Sequence, residues 1–71
     1  MDRIPVQSSN LASVGYDPAS QTLEIEFLRS GTYQYFGVPP DVFEGLLNAG
    51  SKGSYFHTYI KNAGYAYSKV G

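Results

Sequence analysis

The sequence predicts an α+β domain, with a three-stranded antiparallel meander and two short helices packed on one face. Apolar and polar residues alternate with a period of two up to Tyr35, which is typical of half-buried strands. Two prolines, Pro39 and Pro40, end the alternation, and apolar residues then recur at helical spacing. A domain of 71 residues buries only about 60% of its unfolded surface, so we expect a stability of roughly 3–5 kcal/mol.

The first strand is expected to begin near Leu11, after a polar lead-in at residues 2–10 from which Val6 docks on the body. Apolar residues then stand at alternate positions, namely Ala12, Val14 and Tyr16. Asp17-Pro18 favours a type I turn, because proline supplies the φ angle that its position in this turn requires.

The second strand, at residues 22–28, has the clearest pattern. One face carries Leu23, Ile25 and Phe27, and the other carries Glu24 and Glu26. A four-residue loop at 18–21 places Tyr16 opposite Leu23 and Val14 opposite Ile25, which keeps the apolar residues on one face.

The third strand contains Tyr33-Gln34-Tyr35. A two-residue turn at Ser30-Gly31 would oppose Phe27 to Gln34 and mix the faces. A three-residue loop at 29–31, with Gly31 in the left-handed conformation, instead pairs Phe27 with Tyr33 and Ile25 with Tyr35. This register turns both tyrosines inward and Gln34 outward.

Two helices follow the prolines. Pro40 suits the first turn of a helix that Gly50 ends, with an apolar stripe of Val42, Phe43, Leu46 and Leu47. Ser51 is the expected N-cap of a helix of about three turns that runs toward Asn62 and is closed by Gly64. Residues 65–70 alternate again, as a short fourth strand or an ordered tail. The predicted core comprises Val14, Tyr16, Leu23, Ile25, Phe27, Tyr33, Tyr35, Phe43, Leu46, Leu47, Phe56 and Ile60.

The charges are divided along the chain. Residues up to Glu44 hold six acids and two arginines, a net charge of −4, whereas residues from Gly45 onward hold three lysines and no acid. Cysteine is absent and His57 is the only histidine, so we expect no disulfide, metal or other cofactor. Without a signal-peptide run or a run of about 20 apolar residues, we expect a soluble, cytoplasmic protein with no membrane partner.

A family resemblance lies in motifs that follow one another along nearly the whole chain. They are Ser8-Ser9, Val14-Gly15-Tyr16-Asp17, Leu23-Glu24-Ile25-Glu26-Phe27, Tyr33-Gln34-Tyr35 followed by Val38-Pro39, the helix from Phe43 to Leu47, and the segment from Ala49 to Phe56. The chain resembles the KTSC domain, a module at the C-terminus of some lysyl-tRNA synthetases and a free-standing small bacterial protein. The resemblance implies one domain over residues 1–71, with an ordered body at about 6–67, and suggests RNA as a partner. The tail at residues 62–67 is less basic than the usual family ending.

The acid-free C-terminal third is the candidate RNA-binding region. Glu24 and Glu26 on the open sheet face would repel phosphate, whereas a helix start with a lysine and two hydroxyls suits an anion. Tyrosines interleaved with lysines can stack bases and hold a backbone. The candidate residues are Ser51, Lys52, Gly53, Ser54, Tyr55, Tyr59, Lys61, Tyr65, Tyr67 and Lys69. The alternative is that Ser51 is only a cap, Lys52 a solvated side chain and the tyrosines packing residues.

An enzyme is not expected. Ser8, Ser9, Asp17 and His57 are triad residue types, but no nucleophile-elbow motif frames either serine, and no small-molecule substrate is evident. We expect His57 to be exposed on the second helix. The alternative function is a protein-interaction module, acting through an exposed strand edge or through head-to-tail pairing of the acidic and basic portions of two copies.

Overall fold

The computed structural model describes residues 1–71. Its elements are β1 (Arg3–Pro5), β2 (Leu11–Asp17), β3 (Thr22–Phe27), β4 (Gly31–Phe36), α1 (Pro40–Asn48), α2 (Lys52–Tyr59), a 3-10 turn (Lys61–Ala63) and β5 (Tyr67–Lys69). The five strands form one antiparallel sheet in chain order. The α+β class is confirmed, but the count of three strands is wrong. The tail forms β5, and β1 lies where only a lead-in was expected, because three residues that include a proline are too few to show a period.

The β2–β3 hairpin has the predicted register. Tyr16 lies opposite Leu23 and Val14 opposite Ile25, with a loop at residues 18–21. The start of β2 departs from the prediction, because the pairing skips Ala12 in a bulge. This shift turns Leu11 into the core, where it is 1% exposed.

The predicted β3–β4 register is wrong by two residues. Ile25 lies opposite Tyr33 and Leu23 opposite Tyr35, around a loop at residues 28–30. Gly31 has the expected positive φ, 90°, although it stands at the first position of the strand. A shift of two residues keeps every side chain on its face, so apolar alternation cannot distinguish the two registers. Tyr35 is buried as predicted and Tyr33 is half-buried.

The helix starts agree with the sequence. Pro40 is the first residue of α1, and the Ser51 hydroxyl caps α2 by accepting a hydrogen bond from the Ser54 amide at 3.3 Å. The predicted length of the second helix is wrong by about one turn, because α2 ends at Tyr59 and residues 61–63 form the 3-10 turn. Gly64 closes this segment with a φ of 84°. No helix is long and apolar enough to cross a membrane.

The core lies between the sheet and the helices. Its buried members are Leu11, Val14, Leu23, Ile25, Tyr35, Val38, Leu46, Phe56 and Ile60. Five predicted core residues are only half-buried against it, namely Tyr16, Phe27, Tyr33, Phe43 and Leu47. Leu11 and Val38 were missed. Val38 is held because its carbonyl accepts a hydrogen bond from the Tyr16 hydroxyl, and the Phe43 ring stacks on the Tyr16 ring at 4.9 Å, which fixes α1 to the sheet.

The helix-free face of the sheet carries Arg3 over the two glutamates. Arg3 Nε lies 3.5 Å from Glu24 Oε2, and Arg3 Nη1 donates to Thr32 Oγ1 at 3.3 Å and lies 4.0 Å from Glu26 Oε1. Gly15 leaves room for this side chain, because a Cβ there would stand 3.1 Å from Arg3 Cγ. The acidic face expected from the sequence is therefore partly neutralised by a residue of β1.

Candidate nucleic-acid interface

An open cleft of about 670 Å³ lies on the helix side of the sheet. The end of β3, the β3–β4 loop, β4, β5, α2 and the segments beside them contribute to it. Six aromatic residues line it, namely Phe27, Tyr33, Tyr35, Phe56, Tyr65 and Tyr67. This volume falls within the range of roughly 300–1,000 Å³ that is typical of ligand pockets.

Strand pairing builds the aromatic floor of the cleft. Tyr67 lies opposite Tyr35, and paired residues of an antiparallel sheet point to the same face. The ring centroids of Tyr33, Tyr35 and Tyr67 are 5.6 to 6.5 Å apart, and the Phe56 ring meets Tyr35 edge-on at 5.5 Å. Tyr35 is 7% exposed and Tyr67 is 65% exposed. The accessible ring surface of this floor therefore belongs to Tyr67 and the half-buried Tyr33.

The charged and basic residues that line the cleft are Arg29, His57 and Lys61, and no carboxylate lines it. Arg29 comes from the β3–β4 loop, His57 from α2 and Lys61 from the 3-10 turn. The remaining lining residues are uncharged: Ser9, Asn10, Leu28, Ser30 and Gly53. An aromatic surface beside cations suits a ligand that combines a flat apolar group with negative charge.

The tyrosine hydroxyl at the centre of the floor stays protonated at physiological pH. Burial raises the pKa of Tyr35 to about 12, and the neighbouring Tyr33 and Tyr67 contribute to the same direction. The shift reflects how closely the neighbouring rings pack around Tyr35, which is neutral at this pH with or without it.

Four of the ten candidate residues line the cleft. They are Gly53, Lys61, Tyr65 and Tyr67. Lys69 lies opposite Tyr33 on the same sheet face. Ser51 and Ser54 lie on a polar shelf that shares Ser9, Asn10, Gly53 and His57 with the cleft, and their hydroxyls are hydrogen-bonded to each other at 3.0 Å.

The other three candidates are Lys52, Tyr55 and Tyr59. Their side chains contact α1, the residue that follows it, or one another. Lys52 Nζ donates to the Ala49 carbonyl at 3.1 Å, and the Tyr55 hydroxyl donates to the Val42 carbonyl at 3.0 Å. Tyr59 packs on Tyr55, with the ring centroids 4.7 Å apart. Tyr55 and Tyr59 each follow a cleft-lining residue of α2 by two positions, which is about 200° around a helix. They therefore face away from the cleft, and burial raises the pKa of Tyr55.

Sequence reasoning missed the part of the cleft contributed by the first half of the chain. Arg29 and Tyr33 belong to the β3–β4 hairpin, and Asn10 to the segment before β2. Gly53 makes room for Asn10, since a Cβ at position 53 would stand 2.6 Å from Asn10 Oδ1, but nothing in the sequence links these two positions. His57 is exposed, as predicted, but it lies on the cleft side of α2.

Comparisons with known proteins agree with this fold. The sequence pattern of the KTSC domain matches residues 7–70. The chain is 44% identical to an uncharacterized protein of Stutzerimonas stutzeri across 99% of both chains. A lysine–tRNA ligase of Nostoc sp. is 47% identical over 55 residues, which are 78% of this chain and 10% of the ligase. The crystal structure of a KTSC domain protein from Yersinia pestis has a TM-score of 0.94 and 44% identity, covering 99% of this chain and 97% of that one.

Proposed function

Because the chain belongs to the KTSC domain family, we propose that it is a small, non-catalytic module that binds single-stranded RNA weakly through the acid-free aromatic cleft. The observation that carries this proposal is the combination of six aromatic residues, Arg29, Lys61 and His57 in one cleft without a carboxylate. Aromatic rings stack on bases regardless of sequence, and cations follow the phosphate backbone.

RNA is the anionic polymer that the comparisons favour. One relative is a lysine–tRNA ligase, of which the matching segment is a tenth. A module with this cleft would add RNA contacts to a longer protein to which it is joined. Tethering raises the effective concentration of a weak site, so a small contribution by the module would still increase the overall affinity.

The affinity of the isolated module is expected to be low. Arg29 and Lys61 are the two residues of the cleft with a full formal charge. The phosphate backbone supplies much of the affinity of nucleic-acid complexes through counterion release, and two cations neutralise few phosphates. Binding should therefore be measurable at low salt and weak at physiological salt.

The test is a titration of labelled single-stranded RNA of about 16 nucleotides, the upper end of the site size of an OB-fold that binds single strands. We compare the wild type with an Arg29→Gln/Lys61→Gln double variant by fluorescence anisotropy at low salt. A Lys52→Gln variant is the matched control, because it removes a lysine whose Nζ donates to the Ala49 carbonyl outside the cleft. We expect the double variant to lose binding and the control to keep it.

Two results would contradict the proposal. One is that the wild type fails to bind RNA at low salt, and the other is that the double variant binds as well as the wild type. Circular dichroism of each variant shows whether a loss of binding is a loss of fold.

A protein-interaction role has less support. Both edges of the sheet are strands of three residues, β1 and β5, which offer a partner strand few backbone hydrogen bonds. Static light scattering over a range of concentrations tests self-association. A stable dimer would favour the alternative in which the acidic and basic portions of two copies pair head to tail.

A further inference from the structure

We infer that the cleft is a pocket for one unpaired nucleotide, with the base against the accessible rings of Tyr67 and Tyr33 and the two phosphates that flank it beside Arg29 and Lys61. This inference rests on the proposed function and adds the unit of RNA that is recognised. The module then prefers loops, bulges and strand ends to duplex RNA.

The placement of the base follows from ring exposure. Tyr67 is the most exposed of the large hydrophobic side chains, at 65%. The residue that lies opposite it on β4, Tyr35, is buried. The ring centroid of Tyr67 lies 6.2 Å from that of Tyr33 and the two ring planes are inclined by 51°, so a base that stacks on Tyr67 would meet Tyr33 beside it. The rings behind them, Tyr35 and Phe56, are buried and support this surface without offering a face to a ligand.

The ring contacts behind this surface also suit a stacking role. Phe27 meets Tyr33 edge-on at 5.8 Å and meets Phe56 edge-on at 5.2 Å. The accessible rings are thus held by a chain of ring contacts that reaches the core. A base that stacks on such a surface orders few additional side chains, which lowers the entropic cost of binding.

The placement of the phosphate follows from the charges. Arg29 stands in the loop that precedes β4, and Lys61 in the turn that follows α2, so the cations reach the cleft from two different elements. No carboxylate lines the cleft to compete for them. An aromatic floor with cations from separate elements matches one base of a single strand and the phosphates on either side of it.

The preference for unpaired bases follows from stacking. A base within a duplex is covered on both faces by its neighbours, whereas an unpaired base can be turned out onto an aromatic side chain. A duplex would therefore leave the rings of Tyr33 and Tyr67 without a stacking partner.

The first test uses two exposed tyrosines that differ in position. Tyr67→Ala removes a ring of the floor, and Tyr59→Ala removes a ring that is 56% exposed on the opposite side of α2. We expect Tyr67→Ala to weaken the binding of a hairpin RNA with an unpaired loop about 5-fold or more, and Tyr59→Ala to leave it unchanged. A fully paired RNA of the same length should bind the wild type more weakly and respond to neither variant.

The second test separates the base from the phosphate. Adenosine 5′-monophosphate and ribose 5-phosphate are titrated into the wild type, and the amide shifts are followed by NMR. We expect the nucleotide to shift the amide resonances of β4 and β5 at a lower concentration than the sugar phosphate does. In the Tyr67→Ala variant, the two ligands should shift these resonances at similar concentrations.

The outcomes distinguish this inference from the proposed function. In one outcome, hairpin and duplex bind equally, Tyr67→Ala behaves as Tyr59→Ala, and the Arg29→Gln/Lys61→Gln variant still loses binding. The module would then be an RNA binder without a nucleotide pocket. If neither RNA binds and neither small ligand shifts the floor, both ideas fail. If the nucleotide binds the floor but RNA does not bind, the ligand is a free nucleotide and the RNA proposal is wrong.

Discussion

Replacing a single cation of the cleft should change the salt dependence of RNA binding by a predictable amount. For single-stranded nucleic acid, log K falls with log salt at a slope of about −0.7 for each neutralised phosphate. Arg29 and Lys61 line the cleft with a full formal charge each, so we expect a slope of about −1.4 for the wild type. Between 50 and 200 mM salt, the affinity should then fall about 7-fold.

Lys61→Gln should reduce this slope to about −0.7, so that the same change in salt weakens binding only about 2.5-fold. Lys52→Gln changes the net charge of the protein equally, but its Nζ bonds the Ala49 carbonyl at the end of α1. Because Lys52 does not line the cleft, we expect its variant to keep the wild-type slope. Comparing the slopes of the two variants thus distinguishes the effect of a cation in the cleft from the effect of net charge.

The measurement is a series of anisotropy titrations of one single-stranded RNA at four or more salt concentrations, at constant pH and temperature. A Lys52→Gln variant that flattens the slope as much as Lys61→Gln does would contradict this prediction, since only the net charge would then matter. So would a wild-type slope several times steeper than expected, because cations outside the cleft would then hold the backbone.

Three further predictions concern stability. The pKa of Tyr35 is raised to about 12 from 10.0, so the folded state holds this proton more tightly than the unfolded chain does. The raised pKa contributes about 2–3 kcal/mol to the free energy of unfolding, which is fully present below pH 10 and is lost as the pH rises from 10 to 12. Urea unfolding should show this loss in the wild type and a smaller loss in Tyr35→Phe. Ser51→Ala removes the hydrogen bond to the Ser54 amide and should lower the free energy of unfolding by about 1 kcal/mol, again by urea unfolding, and Ser51→Asn should restore most of it. Gly15→Ala places a Cβ 2.8 Å from the Asp2 carbonyl oxygen and should lower the free energy of unfolding by about 1–3 kcal/mol in thermal melts, and no loss would show that β1 is dispensable.

Periodicity was sufficient for the strands that carry one apolar face. It predicted β2, β3 and β4 and the faces of their side chains, because a wrong face would bury Glu24 or Glu26. It could not predict the β3–β4 register, since pairing Ile25 with Tyr33 or with Tyr35 keeps both tyrosines on the same face. Turn geometry decides between these registers, and a loop that contains serine and glycine allows both.

The cleft was only partly predictable because it is assembled from distant segments. Lys61 and Tyr67 belong to the acid-free third, where composition points to an anionic partner. Arg29 and Tyr33 join them because β5 pairs with β4, which places Tyr67 opposite Tyr35. A tail of three strand residues is too short for a pattern to indicate its partner. Lys52 also belongs to the acid-free third, but its Nζ donates to the Ala49 carbonyl three residues earlier and the residue does not line the cleft.

The N-terminal strand also has a consequence for how the molecule behaves when shortened. Strand β2 has seven residues, and β1 covers its outer edge at residues 13–15 with a strand that ends in Pro5, which has no amide to offer. A chain cut to residues 7–70 would keep all the lining residues of the cleft but would lose Arg3, so that Glu24 and Glu26 would stand unneutralised beside an open ladder of backbone groups. We therefore expect the first six residues to protect the edge of β2 from pairing with a second copy. Their removal should appear as concentration-dependent association of a molecule that still binds its ligand.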